Sequence, residues 1–132
     1  MTAMAVLPAA CVDVPAFMVF NNSGVVLTVF KPNEYGRHQA VVPPGGRTLG
    51  HYIDFDTFLE ARGCTYTYSR TDIQAGQGWM QDYGRRPIKV QVEPDMTIHL
   101  LPSATRSVAT ARPLPSLHRN GFPLRVIAKV CR

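Results

Sequence analysis

His51, Asp54 and Asp56 are the nearest approach to a metal-ligating cluster in this sequence. On an extended strand the two aspartates share one face and His51 points to the other, so the three side chains do not converge on an ion. Turn and cap duty accounts for both carboxylates. His99 alternates with apolar neighbours and reads as a solvated strand histidine, while His38 and His118 fall in loops. A Ser-His-Asp triad could be drawn from several residues, as in any chain with four histidines and many serines, and carries no weight. Nucleophile elbow, P-loop, HExxH, calcium-loop and dinucleotide signatures are absent from the sequence. The expectation is a non-enzyme with no catalytic residue, no metal site and no cofactor.

Binding residues are easier to nominate. Tyr66 and Tyr68 share a strand face, and with Trp79 they could stack on a sugar ring or a base. The competing and preferred reading puts Cys64, Tyr66 and Tyr68 in the inward row of a sandwich strand, with Trp79 closing one end of the core. The loop from Gln74 to Arg86 carries Trp79, Tyr83, Arg85 and Arg86, residue types that dominate protein interfaces. Charge is unevenly placed: residues 96–132 hold Arg106, Arg112, Arg119, Arg125, Lys129 and Arg132 and no carboxylate, within a net charge of +5. Such a segment can dock on nucleic acid, an anionic surface or an acidic protein, or simply be a solvated tail. Within it, Pro113-Leu114-Pro115 suits an extended, polyproline-like path along a neighbour.

The elements that would hold these residues are strands. Ile88, Val90 and Val92 alternate with Lys89 and Gln91, and Met96, Ile98 and Leu100 alternate with Thr97 and His99. Glu93-Pro94-Asp95 between them predicts a tight turn and hence a hairpin with one apolar face. Residues 16–20 and 25–30 read as two strands joined by the Asn21-Asn22-Ser23-Gly24 turn, and the short connection predicts a second hairpin. Residues 39–42 form a strand closed by the Pro43-Pro44-Gly45-Gly46 corner. Residues 48–54 read as a strand entering a short helical turn at 56–61, and Cys64 to Ser69 as a clean alternating strand. Phe122 to Val130 is the last strand, with Leu124, Val126, Ala128 and Val130 on one face and Arg125 and Lys129 on the other.

With 132 residues, 45 % of them hydrophobic, the chain can bury a core as one domain. The fold class expected is all-β: a two-sheet antiparallel sandwich, Ig-like or jelly-roll-like, of about 7–8 strands. Residues 1–15 form an N-terminal arm and residues 102–121 a long basic Pro/Ser-rich loop. Loops of that length tend to be functional. No apolar run approaches the roughly 18 residues of a membrane-spanning helix. The N-terminal residues lack the charge and length of a signal peptide, so localisation is left open. Cys11, Cys64 and Cys131 have no zinc spacing. A bridge from Cys11 to Cys131 would pin both ends, and three unpaired thiols are at least as compatible with the sequence.

Phe20-Asn21-Asn22-Ser23, Val25-Val26-Leu27-Thr28-Val29 and Pro43-Pro44-Gly45-Gly46-Arg47 together resemble the start of the von Hippel-Lindau β-domain, over about a third of the chain. The resemblance implies a small sandwich used in protein recognition and transfers no binding residue or partner. The extended Pro113-Leu114-Pro115 segment in the long basic loop leads instead to a structural or interaction subunit of a larger assembly, such as a virion-type particle or envelope complex. The residues expected to meet protein subunits are Trp79, Tyr83, Arg85, Arg86, Arg106, Arg112, Pro113, Pro115 and Arg119. A small carbohydrate-binding module on Tyr66, Tyr68 and Trp79 and an anionic-polymer binder through residues 96–132 are the alternatives.

Overall fold

A computed structural model describes residues 16–33, 36–48, 51–52, 59–68, 87–119 and 121–132. Nine strands form there: β1 (Ala16–Asn21), β2 (Leu27–Asn33), β3 (Gly36–Val42), β4 (His51–Tyr52), β5 (Leu59–Ala61), β6 (Cys64–Tyr68), β7 (Ile88–Val92), β8 (Ile98–Leu100) and β9 (Val126–Cys131). They make a four-stranded sheet in the order β4-β1-β7-β8 and a five-stranded sheet in the order β3-β2-β5-β6-β9. The protein is an all-β, two-sheet sandwich, with no helix among the described residues. One pairing departs from the antiparallel expectation: β1 and β7 run parallel, Phe17 opposite Ile88 through Asn21 opposite Val92. Parallel neighbours need a long crossover, and the intervening chain that builds most of the other sheet supplies it.

The core follows the alternation. Phe17 and Val19 of β1, Leu27 and Val29 of β2, Tyr66 and Tyr68 of β6, and Ile88, Val90 and Val92 of β7 meet in one buried cluster. β1 and β2 are therefore not the expected hairpin; they lie in different sheets. Side by side in one layer, their apolar rows would both face the same way. Placed in opposite layers, Phe17 and Val19 face Leu27 and Val29 directly. Leu59–Ala61 is a strand rather than the end of a helical turn, because Leu59, Glu60 and Ala61 pair with Tyr66, Thr65 and Cys64. Residues 56–58 lie outside the described residues. Arg62 and Gly63 both have positive φ (53° and 73°), so β5 and β6 are joined by the mirror-image two-residue turn that matches strand twist.

The switch between sheets is built on one buried side chain. Asn21 is fully buried; its amide nitrogen donates to the carbonyls of Val25 (2.6 Å) and Val42 (2.9 Å), and its oxygen accepts from the Ser23 N–H (2.9 Å) and hydroxyl (2.6 Å). Its backbone reaches the Pro-Gly corner as well, since Asn21 N–H donates to the Gly46 carbonyl and Gly45 N–H donates to the Asn21 carbonyl. Asn/Ser turn and Pro/Gly corner are thus one hydrogen-bonded knot.

The β7–β8 hairpin is as expected, with Val92 opposite Ile98 and Val90 opposite Leu100. Its turn closes with Met96 N–H donating to the Glu93 carbonyl (2.7 Å) and leaves Met96 at φ 68°. Glycine would remove a left-handed cost of about 1–2 kcal/mol. Burial of the Met96 side chain is worth about 1.5–3 kcal/mol, so packing holds the strained residue in place.

The cysteine pairing that the sequence leaves open is decided here: Cys64 and Cys131 are bonded, across 67 residues of sequence, and Cys11 lies outside the described residues. Closing a loop of that length lowers denatured-chain entropy by roughly 4 kcal/mol. The bridge sits on directly opposed residues of β6 and β9. Farther along that pair a bulge at Thr67/Tyr68 leaves Tyr68 opposite Val126 but Thr67 opposite Ala128. One extra residue reverses the faces of everything after it. Val126 packs against the core, whereas Ala128 and Val130 turn out, and Lys129 lies on the same side as Tyr66, its ammonium 5.6 Å from the ring centroid. The expected single apolar face of the last strand is therefore split, and Leu124 belongs instead beside β8, bridged to Ile98.

Replacing Asn21 by alanine takes its amide donor from the buried Val42 carbonyl and its oxygen from the Ser23 N–H, while the Ser23 hydroxyl and the Val25 carbonyl keep each other. A loss of about 2–4 kcal/mol in urea unfolding is expected. An Asn21→Ala protein within about 0.5 kcal/mol of wild type would show that the knot is not what joins the sheets.

Candidate functional site

The long segment after β8 is not a projecting arm. It leaves β8 at Leu101, whose N–H donates to the Lys89 carbonyl (2.9 Å), crosses the outer face of the four-stranded sheet, and returns to the free edge of β8. There Leu117 N–H donates to the Leu100 carbonyl (2.7 Å), and Leu124 and Ile98 exchange two backbone bonds. Residues 102–119 form a strap. Beneath it Met18, Phe20 and Leu101 make a second buried cluster, with Val108 and Leu114 of the strap packed against it.

The polar row of the β7–β8 hairpin holds the strap down. Gln91 is fully buried: its carboxamide accepts from the Ala109 N–H (2.8 Å) and donates to the Ala109 carbonyl (2.9 Å), as a neighbouring strand would. Its amide nitrogen also donates to Glu93 Oε2 (2.7 Å), an oxygen that accepts a second bond from Asn22 Nδ2 (2.9 Å). Glu93 Oε1 pairs with Arg112 Nη2 at 2.5 Å. Lys89 Nζ donates to the carbonyls of Ser103 (2.7 Å) and Thr105. On β8, His99 Nδ1 meets Ser116 Oγ at 2.9 Å.

Between hairpin turn and strap lies a cleft of about 370 Å³ lined by Glu93, Pro94, Asp95, His99, Arg112 and Leu114. Burial pushes the His99 imidazole below its ordinary range; Arg125 and Arg112 act in the same direction, and Glu93 and Asp95 oppose them. For Asp95, burial acts upward but is outweighed by bonds from the Thr97 backbone and side chain and by nearby His99, so its carboxyl is held low. The cleft thus presents an ionised carboxylate, a neutral imidazole and a guanidinium already paired with Glu93. Burial, with Tyr66 and Asp95 adding to it, pushes the Tyr68 phenol up; its hydroxyl donates to the Met96 carbonyl at 2.7 Å.

The nominated residues fall into three groups. Arg106, Arg112, Pro113, Pro115 and Arg119 all lie on the strap and are exposed. Trp79, Tyr83, Arg85 and Arg86 lie outside the described residues, as do Asp54 and Asp56. Tyr66 and Tyr68 are 9 % and 3 % exposed and belong to the core cluster. They occupy the inward row of β6, the placement the sequence reading prefers for them. His99 is not a solvated strand histidine but half-covered and bonded to the strap. Among the described residues no group of His, Cys, Asp and Glu is placed to hold a metal ion. None of the described helices is long and apolar enough to cross a membrane, there being none.

Lys89, Gln91, Glu93 and Asn22, which secure the strap, were not singled out as site residues. Their signal was present only as a polar row in a hairpin otherwise rich in apolar residues. Comparison of the chain with protein-family models, with curated proteins and with solved structures gave no match.

Gln91→Leu keeps the size of the side chain and strands the Ala109 N–H and carbonyl. Trypsin should then cut after Arg106 at least about tenfold faster than in wild type, as followed by mass spectrometry; about 1.4 kcal/mol of strap closure corresponds to that factor. Unchanged cleavage would mean that the strap does not depend on the Gln91 clasp. The His99 shift sets a pH dependence. A depressed folded-state histidine contributes fully above its unfolded value of 6.5, and the contribution is lost as pH falls through 6.5 toward the folded value. Urea midpoints should therefore drop between about pH 7.5 and pH 5.5, and His99→Asn should flatten that drop.

Proposed function

We propose that this protein is a non-catalytic interaction subunit of a larger protein assembly and that the outer ridge of the strap meets a partner subunit. One observation carries the reading: the strap is clamped through Gln91, Lys89 and the packing of Val108 and Leu114 on the second cluster, yet Arg106, Arg112, Pro113, Pro115 and Arg119 stay exposed. An irregular segment held this firmly presents its side chains already ordered, so a partner that binds them loses little chain entropy. Arginine and proline suit such a ridge, arginine through its planar multiple donors and proline through its fixed backbone. The Arg112–Glu93 pair weighs against the anionic-polymer alternative, because it removes part of the charge a polyanion would meet.

Native mass spectrometry of the protein taken from its natural source should give a mass above the 14.6 kDa of the single chain. Arg106→Glu should weaken the complex by about tenfold or more without changing the unfolding midpoint. A strict monomer, or a chain that binds heparin with steep salt dependence and nothing else, would overturn this function.

A further inference from the structure

The opposite sheet ends in β9. Arg132 N–H donates to the Gly63 carbonyl (3.0 Å), which fixes the phase of the β6–β9 ladder. Opposed residues alternate between bonded and non-bonded pairs. Val130 and Ala128 therefore aim their backbone groups at β6, while Lys129 and Cys131 aim an N–H and a carbonyl away from it. No hydrogen bond reaches those outward groups from a described residue. Around them Ile127 and Val130 are 64 % and 68 % exposed. The Cys64–Cys131 bond anchors the end of the strand, so the edge is held in extended form.

Charge selects the occupant. Arg125, Lys129 and Arg132 lie on or beside β9, and among the described residues Arg132 pairs with Glu60 at 3.3 Å. Antiparallel pairing with a second copy would set a cationic strand against itself, and like charges across a ladder repel. The Lys129 side chain and the bulge at Ile127 are devices that discourage such self-pairing. An acidic strand meets the same cations favourably. We propose that β9 accepts an extended, acidic, alternately apolar segment of another polypeptide as a sixth strand of the five-stranded sheet, with apolar side chains beside Val130 and carboxylates beside Lys129 on the Tyr66 face.

The test uses the full chain and a fluorescein-labelled peptide of about ten residues alternating valine and glutamate, a length that spans one strand. Anisotropy should show saturable binding that weakens with salt, and the valine–lysine counterpart should not bind. Lys129→Pro removes an outward N–H but no bond to β6, and should weaken binding by about tenfold or more, beyond the loss in Lys129→Ala. Should Lys129→Pro fail to fold, the peptide methylated at alternate backbone nitrogens keeps the question answerable with the wild-type chain, to which it should not bind. Equal binding of the methylated peptide, or no saturation at about 1 mM, overturns strand addition. A wild-type dimer abolished by Lys129→Pro would assign the edge to a second copy instead and also overturn the proposal. None of these outcomes bears on the strap, whose partner is read from Arg106→Glu.

Discussion

A strand covered on both faces can keep polar side chains only if each finds a partner, because an unpaired buried amide costs about as much as several good contacts return. β7 meets this condition in full. Its inner row is Ile88, Val90 and Val92, and its outer row, Lys89 and Gln91, lies under the strap and is bonded to it. Gln91 is the centre of that arrangement. It supplies the two backbone-like bonds that Ala109 needs and passes a third to Glu93, which in turn gathers Asn22 and Arg112. The strap's irregular path is possible because side chains replace the ladder a regular strand would have had.

The same substitution of side chain for backbone recurs at the other turning point. Asn21 satisfies two carbonyls and two donors from the bends around it, allowing consecutive strands to enter different layers without stranding polar groups. Thr48 does a smaller version of this, its hydroxyl accepting from Val19 N–H and its own N–H donating to the Val19 carbonyl. Apolar packing between the sheets then holds the layers together, while these few buried polar residues determine which strand lies where.

The two sheets are finished differently. The four-stranded sheet has its outer face roofed by the strap and the edge of β8 capped by Leu117 and Leu124. In the five-stranded sheet, Thr28, Glu60 and Thr65 form a half-exposed row leading to Val41 at one end and Val130 at the other. One sheet is thus roofed by the strap, while the other keeps a half-exposed outer row among the described residues.

Alternation along Ile88–Val92, Met96–Leu100 and Cys64–Tyr68 was enough to read the strands, the central hairpin, the inward tyrosines and the sandwich itself, because the face a residue takes is set by its immediate neighbours. Turn residues likewise marked where the chain bends. Which bends join partners and which join layers was not legible: Asn21-Asn22-Ser23-Gly24 reads as a hairpin turn until the Val42 and Gly46 carbonyls arrive from elsewhere to accept from Asn21 and the Gly45 N–H to donate to it. The same holds for the bulge that turns Ala128 and Val130 outward, for the choice of Cys64 as partner of Cys131, and for the folding of a basic, proline-rich loop into a strap. Each depends on groups distant in sequence meeting in space, and local side-chain order carries no record of that meeting.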